Sequence, residues 1–271
     1  MRREVGMLRT GTSGRRALAG LCLAAALLTG CGPEETARTE GDGPSPRPST
    51  APASGERTAQ TAFDLLRDTD AMRLSMTIRT PDGRSAISVH ADRDGNCTGT
   101  FDLGPMQRGE IIRVAGENAS YVRYTDTAFA EMRAAAARRG PEAAARAEER
   151  TARARGKYLK IPTISAALKD QCDLDKALST VPRNGAGVQQ RPVVEQDGER
   201  LIPLRGPEGD EGLTMYVAAE GPPYLRSMGG ALRGSEISIS FDRYGRPVKA
   251  AVPPRDAVVD MGPGGEELLG A

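Results

Sequence analysis

The sequence predicts an α+β fold in which one large antiparallel sheet carries helices on one face. Three observations lead there. Short runs alternating apolar and polar side chains recur over 71–125 and again over 188–251, and period two is the signature of half-buried strands. Turn residues separate these runs. Between the two series lie Ala-, Arg- and Glu-rich segments with strong helix propensity. No repeat period suggests a solenoid.

In chain order, 58–68 has helical spacing, with Ala62, Leu65 and Leu66 on one side and Phe63 beside them. In 71–79, Met72, Leu74, Met76 and Ile78 alternate with Arg73, Ser75, Thr77 and Arg79. Pro81-Asp82-Gly83 is a turn signal, and 85–91 alternates again, Ile87 and Val89 inward, Ser88 and His90 outward. Asp94-Gly95 marks a hairpin turn. Runs 98–103, 110–115 and 120–125 complete five strands with short connections, an antiparallel meander. Helices are expected at 126–139 and 141–155, the first capped by Asp126 or Thr127, with Gly140-Pro141 between them. Residues 157–161 read as a short extended piece. Residues 163–178 return to helical spacing, with Ile164, Ala167, Leu168, Leu174 and Leu178 inward. Strands follow at 188–195, 200–205, 213–218, 235–242 and 247–251, with a further candidate at 224–228.

The N-terminus reads as a signal. Residues 1–16 hold five arginines and one acid, and 17–28 is an uncharged apolar run of twelve residues. A bilayer span needs about 20, so the run fits the h-region of a secretory signal. Leu28-Thr29-Gly30-Cys31 resembles the lipobox of bacterial lipoproteins, where the chain is cut before the cysteine and its thiol joined to diacylglycerol. The plainer alternative is a secreted protein with Cys31 free. Arg15-Arg16 leaves the route, Sec or twin-arginine, open. Residues 31–57 contain Pro44, Pro46, Pro48 and Pro52 and no large apolar residue. That composition gives an extended, unfolded tether. The expected organisation is a signal peptide at 1–30, a lipid-anchored tether at 31–57, a folded domain at 58–262 and a Gly- and Glu-rich tail at 263–271. The location this implies is the extracytoplasmic face of a bacterial plasma membrane.

Of 37 basic and 36 acidic residues, removing 1–30 leaves 32 and 35, a net charge of about −3. No basic excess argues for nucleic acid or for electrostatic binding to anionic lipid. Cys97 and Cys172 are an even pair in an oxidising compartment, which predicts a disulfide; two buried free thiols are the alternative.

Nothing in the chain points to catalysis, a cofactor or a metal. Its one histidine, His90, falls on the polar phase of a strand and reads as a surface residue. No Gly-x-Ser-x-Gly, His-Glu-x-x-His or phosphate loop is present. Asp92-x-Asp94-x-Asn96 has the first half of a calcium-loop spacing, but Cys97 and Leu103 stand where Gly and Glu belong, so a hairpin turn is the better reading. Neither Cys97 nor Cys172 has neighbours at zinc spacing. Met72, Met76, Met132, Met215 and Met228 are flexible side chains that fill irregular apolar space, either as plain core or as the wall of a ligand cavity. The cavity candidates are the inward strand residues: Met72, Leu74, Met76 and Ile78, then Ile87 and Val89, then Leu213, Met215 and Val217, then Ile237, Ile239 and Phe241.

The C-terminal part carries a family resemblance. GPPYLRSMGG (221–230) and SEISISFDRYGRPVKAAVPPRDAVVD (235–260) resemble the ending of actinobacterial lipoproteins of the LppX/LprAFG family. The matching positions are Asp242, Gly245, Pro247 and Val248, then Val252-Pro253-Pro254. Gly156-Lys157-Tyr158-Leu159 and Cys97-x-Gly99 fit the same pattern. The resemblance implies a large curved antiparallel sheet, a half-barrel related to the carrier LolA, with helices packed on its concave face. It also implies an apolar cavity between sheet and helices that holds acylated lipids or lipoglycans. Residues 126–155 depart from the family in being Ala- and Arg-rich and low in bulky apolar residues. The functional expectation is a non-enzymatic, membrane-anchored lipoprotein that binds or transfers acyl lipid. Its rival is an interaction or sensor-partner lipoprotein with a filled core and an envelope protein as partner.

Overall fold

The computed structural model describes residues 54–162, 166–179, 181, 184–206 and 212–260. The expected signal segment, Cys31, the expected tether as far as residue 53 and the expected tail at 263–271 lie outside them. The chain divides into two units, 1–49 and 50–271, and every described residue belongs to the second.

Helix α1 (Ser54–Arg67) begins four residues before the expected start and buries Ala59, Ala62, Phe63 and Leu66. Five antiparallel strands follow: β1 (Ala71–Thr80), β2 (Gly83–Asp92), β3 (Cys97–Asp102), β4 (Arg108–Arg113) and β5 (Ser120–Tyr124). The β2–β3 turn is closed by Asp92, whose carboxylate accepts from the Asn96 backbone N–H at 2.8 Å and side-chain amide at 3.0 Å. Those bonds use the residues of the calcium-like spacing to close a hairpin. Helices α2 (Asp126–Ala137) and α3 (Pro141–Ala154) come next; the Thr125 hydroxyl, one residue before the expected caps, accepts from the Ala128 N–H. Strand β6 (Tyr158–Ile161) pairs antiparallel with β5.

The helix expected over 163–178 is two short ones, α4 (Ala166–Gln171) and α5 (Leu174–Leu178). Asp173 starts the second by accepting from the Lys176 N–H, and a side-chain cap of this kind favours a fresh helix start over continuation. Ile164 lies outside the described residues. The strand expected at 188–195 is interrupted: β7 (Gln189–Gln190) and β8 (Val194–Gln196) both pair with β9 (Glu199–Arg205). Pro192 between them has no N–H for the ladder. Strands β10 (Thr214–Ala218), β11 (Leu225–Leu232) and β12 (Ser235–Asp242) complete the antiparallel series. Arg233 and Gly234, at φ 49° and 80°, turn β11 into β12, the backbone that a tight hairpin requires.

Residues 247–251 are not a strand. The chain after β12 instead crosses the outward face of the sheet as a strap, where the Arg246 carbonyl accepts from His90 Nε2 at 3.0 Å. It reaches a short 3-10 turn, Arg255–Ala257, and then β13 (Val258–Asp260), which pairs parallel with β6. This crossing also overturns the expected position of His90, which is buried at 6% exposure beneath the strap.

The strand order is β13-β6-β5-β4-β3-β2-β1-β12-β11-β10-β9-β7, with β8 also on β9. The expected strongly curved, wholly antiparallel half-barrel is therefore not formed. The sheet is an open, mixed one with helices packed nearby.

Helices and sheet form two cores. In the first, Phe129 of α2, Ala154 of α3 and Leu168 of α4 pack on Ile87, Val89, Phe101, Ile111, Val122 and Leu159. In the second, Phe63 and Leu66 of α1 with Leu174 and Leu178 of α5 pack on Met72, Leu204, Val217, Leu225 and Phe241. The α4–α5 segment thus belongs to both. It is fixed by a disulfide between Cys172 and Cys97, with Cα atoms 5.5 Å apart, and by an ion pair of Arg93 with Asp175.

Candidate functional site

Strand register places most of the candidate residues in continuous cross-strand rows on the inward face. One row runs Ile87–Met76–Ile239–Met228–Met215–Leu204 across six strands. The next runs Val89–Leu74–Phe241, and Ile78 faces Ile237 in a third. Residues opposite each other in a ladder project on the same side, so these rows are a single apolar surface. Leu213 lies just before β10, and Val217 faces Leu225 beyond a register shift.

Burial divides this surface. Met72, Ile87, Val89, Val217 and Phe241 are buried beneath helices in one core or the other. Leu74, Met76, Ile78, Leu213, Met215, Ile237 and Ile239 are only half-buried. Leu74, Met215, Met228 and Ile239 flank the second core, whereas Met76, Ile78 and Ile237 join neither core formed by the described residues. A band of half-covered apolar side chains therefore runs along β1 and β12 between the two cores. The α4–α5 segment crosses at one end of these strands, beside Cys97 and Arg93. At the other end lie the turns Thr80–Gly83 and Leu232–Ser235.

Gly230 belongs to this band, and the sequence reading missed it. A Cβ there would lie 2.3 Å from the Gly212 carbonyl oxygen, so the backbone of 212–213, leading into β10, lies tightly against β11 at this point. The signal available was the Gly229-Gly230 pair inside an apolar run, which marks a close backbone approach.

The outward face is polar. An open cavity of about 510 Å³ lies there, lined by outward residues of β1 to β4 that include Ser75, Thr77, Arg84, Ser88, Thr100 and Asp102. Of the cavity candidates only Met76 and Ile87 border it. Around His90, burial is the main cause that lowers the imidazole pKa from its ordinary value; the charges of Arg243 and Arg73 add to this, while the Arg246 carbonyl and Asp242 oppose it. Among the described residues, no group of three or more His, Cys, Asp and Glu side chains could hold a metal ion, and no helix is long and apolar enough to cross a membrane.

No protein-family model and no curated protein matches the sequence. Solved structures do show similarity. LprF from Mycobacterium bovis matches over 73% of this chain and 96% of its own, at 12% identity and a TM-score of 0.45. Lipoprotein LppX from Mycobacterium tuberculosis matches over 73% and 98%, at 12% identity and 0.43. A LolA superfamily protein from Nitrosomonas europaea matches over 76% and 97%, at 9% identity and 0.26. These are distant likenesses, and the functional reading rests on this chain's own residues.

Proposed function

We propose that this chain is an extracytoplasmic lipoprotein, anchored through Cys31, that binds or transfers acylated lipid on the inward face of its sheet. One observation carries the reading: the half-buried apolar band of Met76, Ile78 and Ile237, which join neither helix-covered core, continued by Leu74, Met215 and Ile239 at the margin of the second. A contiguous apolar surface left partly uncovered marks a binding site more often than idle surface. Acyl chains laid on it would contribute about 0.8 kcal/mol for each methylene buried. Met76, Met215 and Met228 suit chains of varied shape, since thioether side chains repack readily. The reading is non-enzymatic and needs no cofactor or metal. A tether between Cys31 and the start of α1 would let the domain reach the bilayer surface. Cys31→Ala tests the anchor, and is expected to move the protein from the membrane to the soluble fraction; retention in the membrane fraction would refute it. Met76→Asp tests the band by placing a charge in it. Binding of a fluorescent fatty acid is expected to fall at least tenfold with the fold intact, and unchanged binding would count against lipid contact there.

One observation favours the rival reading, in which an envelope protein is the partner. Val193 and Val194 are 43% and 39% exposed at the β8 side of the sheet, and exposed β-branched residues at a sheet edge can pair with another chain. In-cell crosslinking from position 194 to a single protein, lost on Val194→Lys, would support it.

A further inference from the structure

The outward cavity opens on the opposite face of the strands from the acyl band and shares only Met76 with it. Its floor follows from register. Thr77, Ala86, Asp102 and Arg108 form one cross-strand row, and Ser75, Ser88, Thr100 and Glu110 the next. Ala86 is the smallest side chain in its row, so the surface dips there between Thr77 and Asp102. Four hydroxyls (Ser75, Thr77, Ser88 and Thr100) surround the dip, and the first and third lie 2.7 Å apart. Asp102 and Arg108 face each other with Oδ2 and Nε 3.1 Å apart, an ion pair that leaves Arg108 Nε itself buried without a hydrogen-bond partner among the described residues. The other Asp102 oxygen, Oδ1, is buried without a hydrogen-bond partner among the described residues. Buried acceptors are rarely left in that state in a finished site. Glu110 is already matched by Arg123, at 2.7 Å. Arg84 has no carboxylate within ion-pair distance among the described residues; its guanidinium donates only to the Thr77 hydroxyl, at 3.4 Å.

We propose that this cavity is a binding site for a polyhydroxylated ligand that carries one anionic group, of the sugar-phosphate class. Hydroxyl groups both donate and accept, so a polyol can donate to Asp102 Oδ1 and exchange hydrogen bonds with the four Ser and Thr hydroxyls. Its anion is taken by Arg84, whose planar fork suits phosphate. The volume, about 510 Å³, lies within the range of small-molecule pockets and admits one or two sugar rings. A bare phosphate can accept from Arg84 and Arg108 but has no hydroxyl array for the Ser and Thr side chains, and as a dianion it leaves Asp102 Oδ1 unmatched.

The test is isothermal titration of the full exported chain with three probes: glucose 6-phosphate, glucose and inorganic phosphate. The sugar phosphate is expected to bind at least tenfold more tightly than either other probe. Arg84→Ala should reduce its binding to the level of glucose. Ala86→Leu, which fills the dip on a solvent-facing position, should abolish binding of all sugar probes while the melting temperature holds. A phospholipid with a sugar headgroup, presented in vesicles, then distinguishes a lipid-borne headgroup from a free sugar phosphate: vesicle capture lost with Ala86→Leu marks the former, its absence the latter. Equal binding of phosphate and sugar phosphate would overturn the proposal, as would no binding by any sugar probe, or binding that both substitutions leave unchanged.

Discussion

His90 shows how one side chain can report on the strap above it. Its Nε2–H reaches a backbone carbonyl, and burial favours the neutral ring. Because the folded chain holds this group below its ordinary pKa, the unfolded chain binds the extra proton more readily. The contribution to stability is therefore full above about pH 6.5, the ordinary imidazole value, and is lost as pH falls from there through the lowered folded value. The melting temperature should drop between pH 7.5 and pH 5, and His90→Gln, which keeps a donor without titrating, should drop less. Equal falls in both would contradict the assignment. Gly99 offers a second check at this scale. A Cβ there would lie 2.2 Å from the Ser88 carbonyl oxygen and 2.8 Å from Val89 Cα. Gly99→Ala should cost about 1–3 kcal/mol, as overpacking of a tight site does, measured by urea unfolding. The alternation of Val89 and His90 along β2 told which face each occupies. It could not tell that a segment more than 150 residues later would cover the polar one.

Among the elements, the α4–α5 segment connects the two cores, and the Cys97–Cys172 disulfide holds it to β3. Closing a loop of 75 residues is worth about 4 kcal/mol in the chain-entropy model. Replacing both cysteines by serine should lower unfolding stability by up to about that amount. Amide exchange should rise over 166–178 before it rises in β1 or β2. The strands of 71–125 were legible in the sequence to within a few residues, because their alternation and turns are local and each pairs with its neighbour in the chain. The alternation over 247–251 was misleading: an extended segment looks like a strand whether or not a partner lies beside it. β13 escaped notice for the converse reason, since its three-residue ladder has a parallel partner about 100 residues away. The helix break at Asp173 was readable in principle, as an N-cap residue followed by a short apolar pair.

For the molecule as a whole, the decisive feature is that one sheet carries two cores with an apolar band between them. Inward periodicity named most of the residues of that band, but which of them would be covered depends on where the helices settle. The Ala-rich α2 and α3 bury few large side chains: Phe129 and three alanines, with Thr151. Both helices pack in the first core, on β2 to β6, and Met76, Ile78 and Ile237 of β1 and β12 are half-covered outside it. The half-barrel expectation came from the family resemblance, which rests on short motifs, and overall sheet shape is set by packing that no local motif encodes. The central claim is that this band holds acyl chains. The most direct test is native mass spectrometry of the chain exported from a related bacterium and purified without detergent. A co-purifying mass that organic solvent extracts as an acyl lipid, and that Met76→Asp removes, is the predicted result. A clean apo mass that stays apo after incubation with envelope lipids would contradict it.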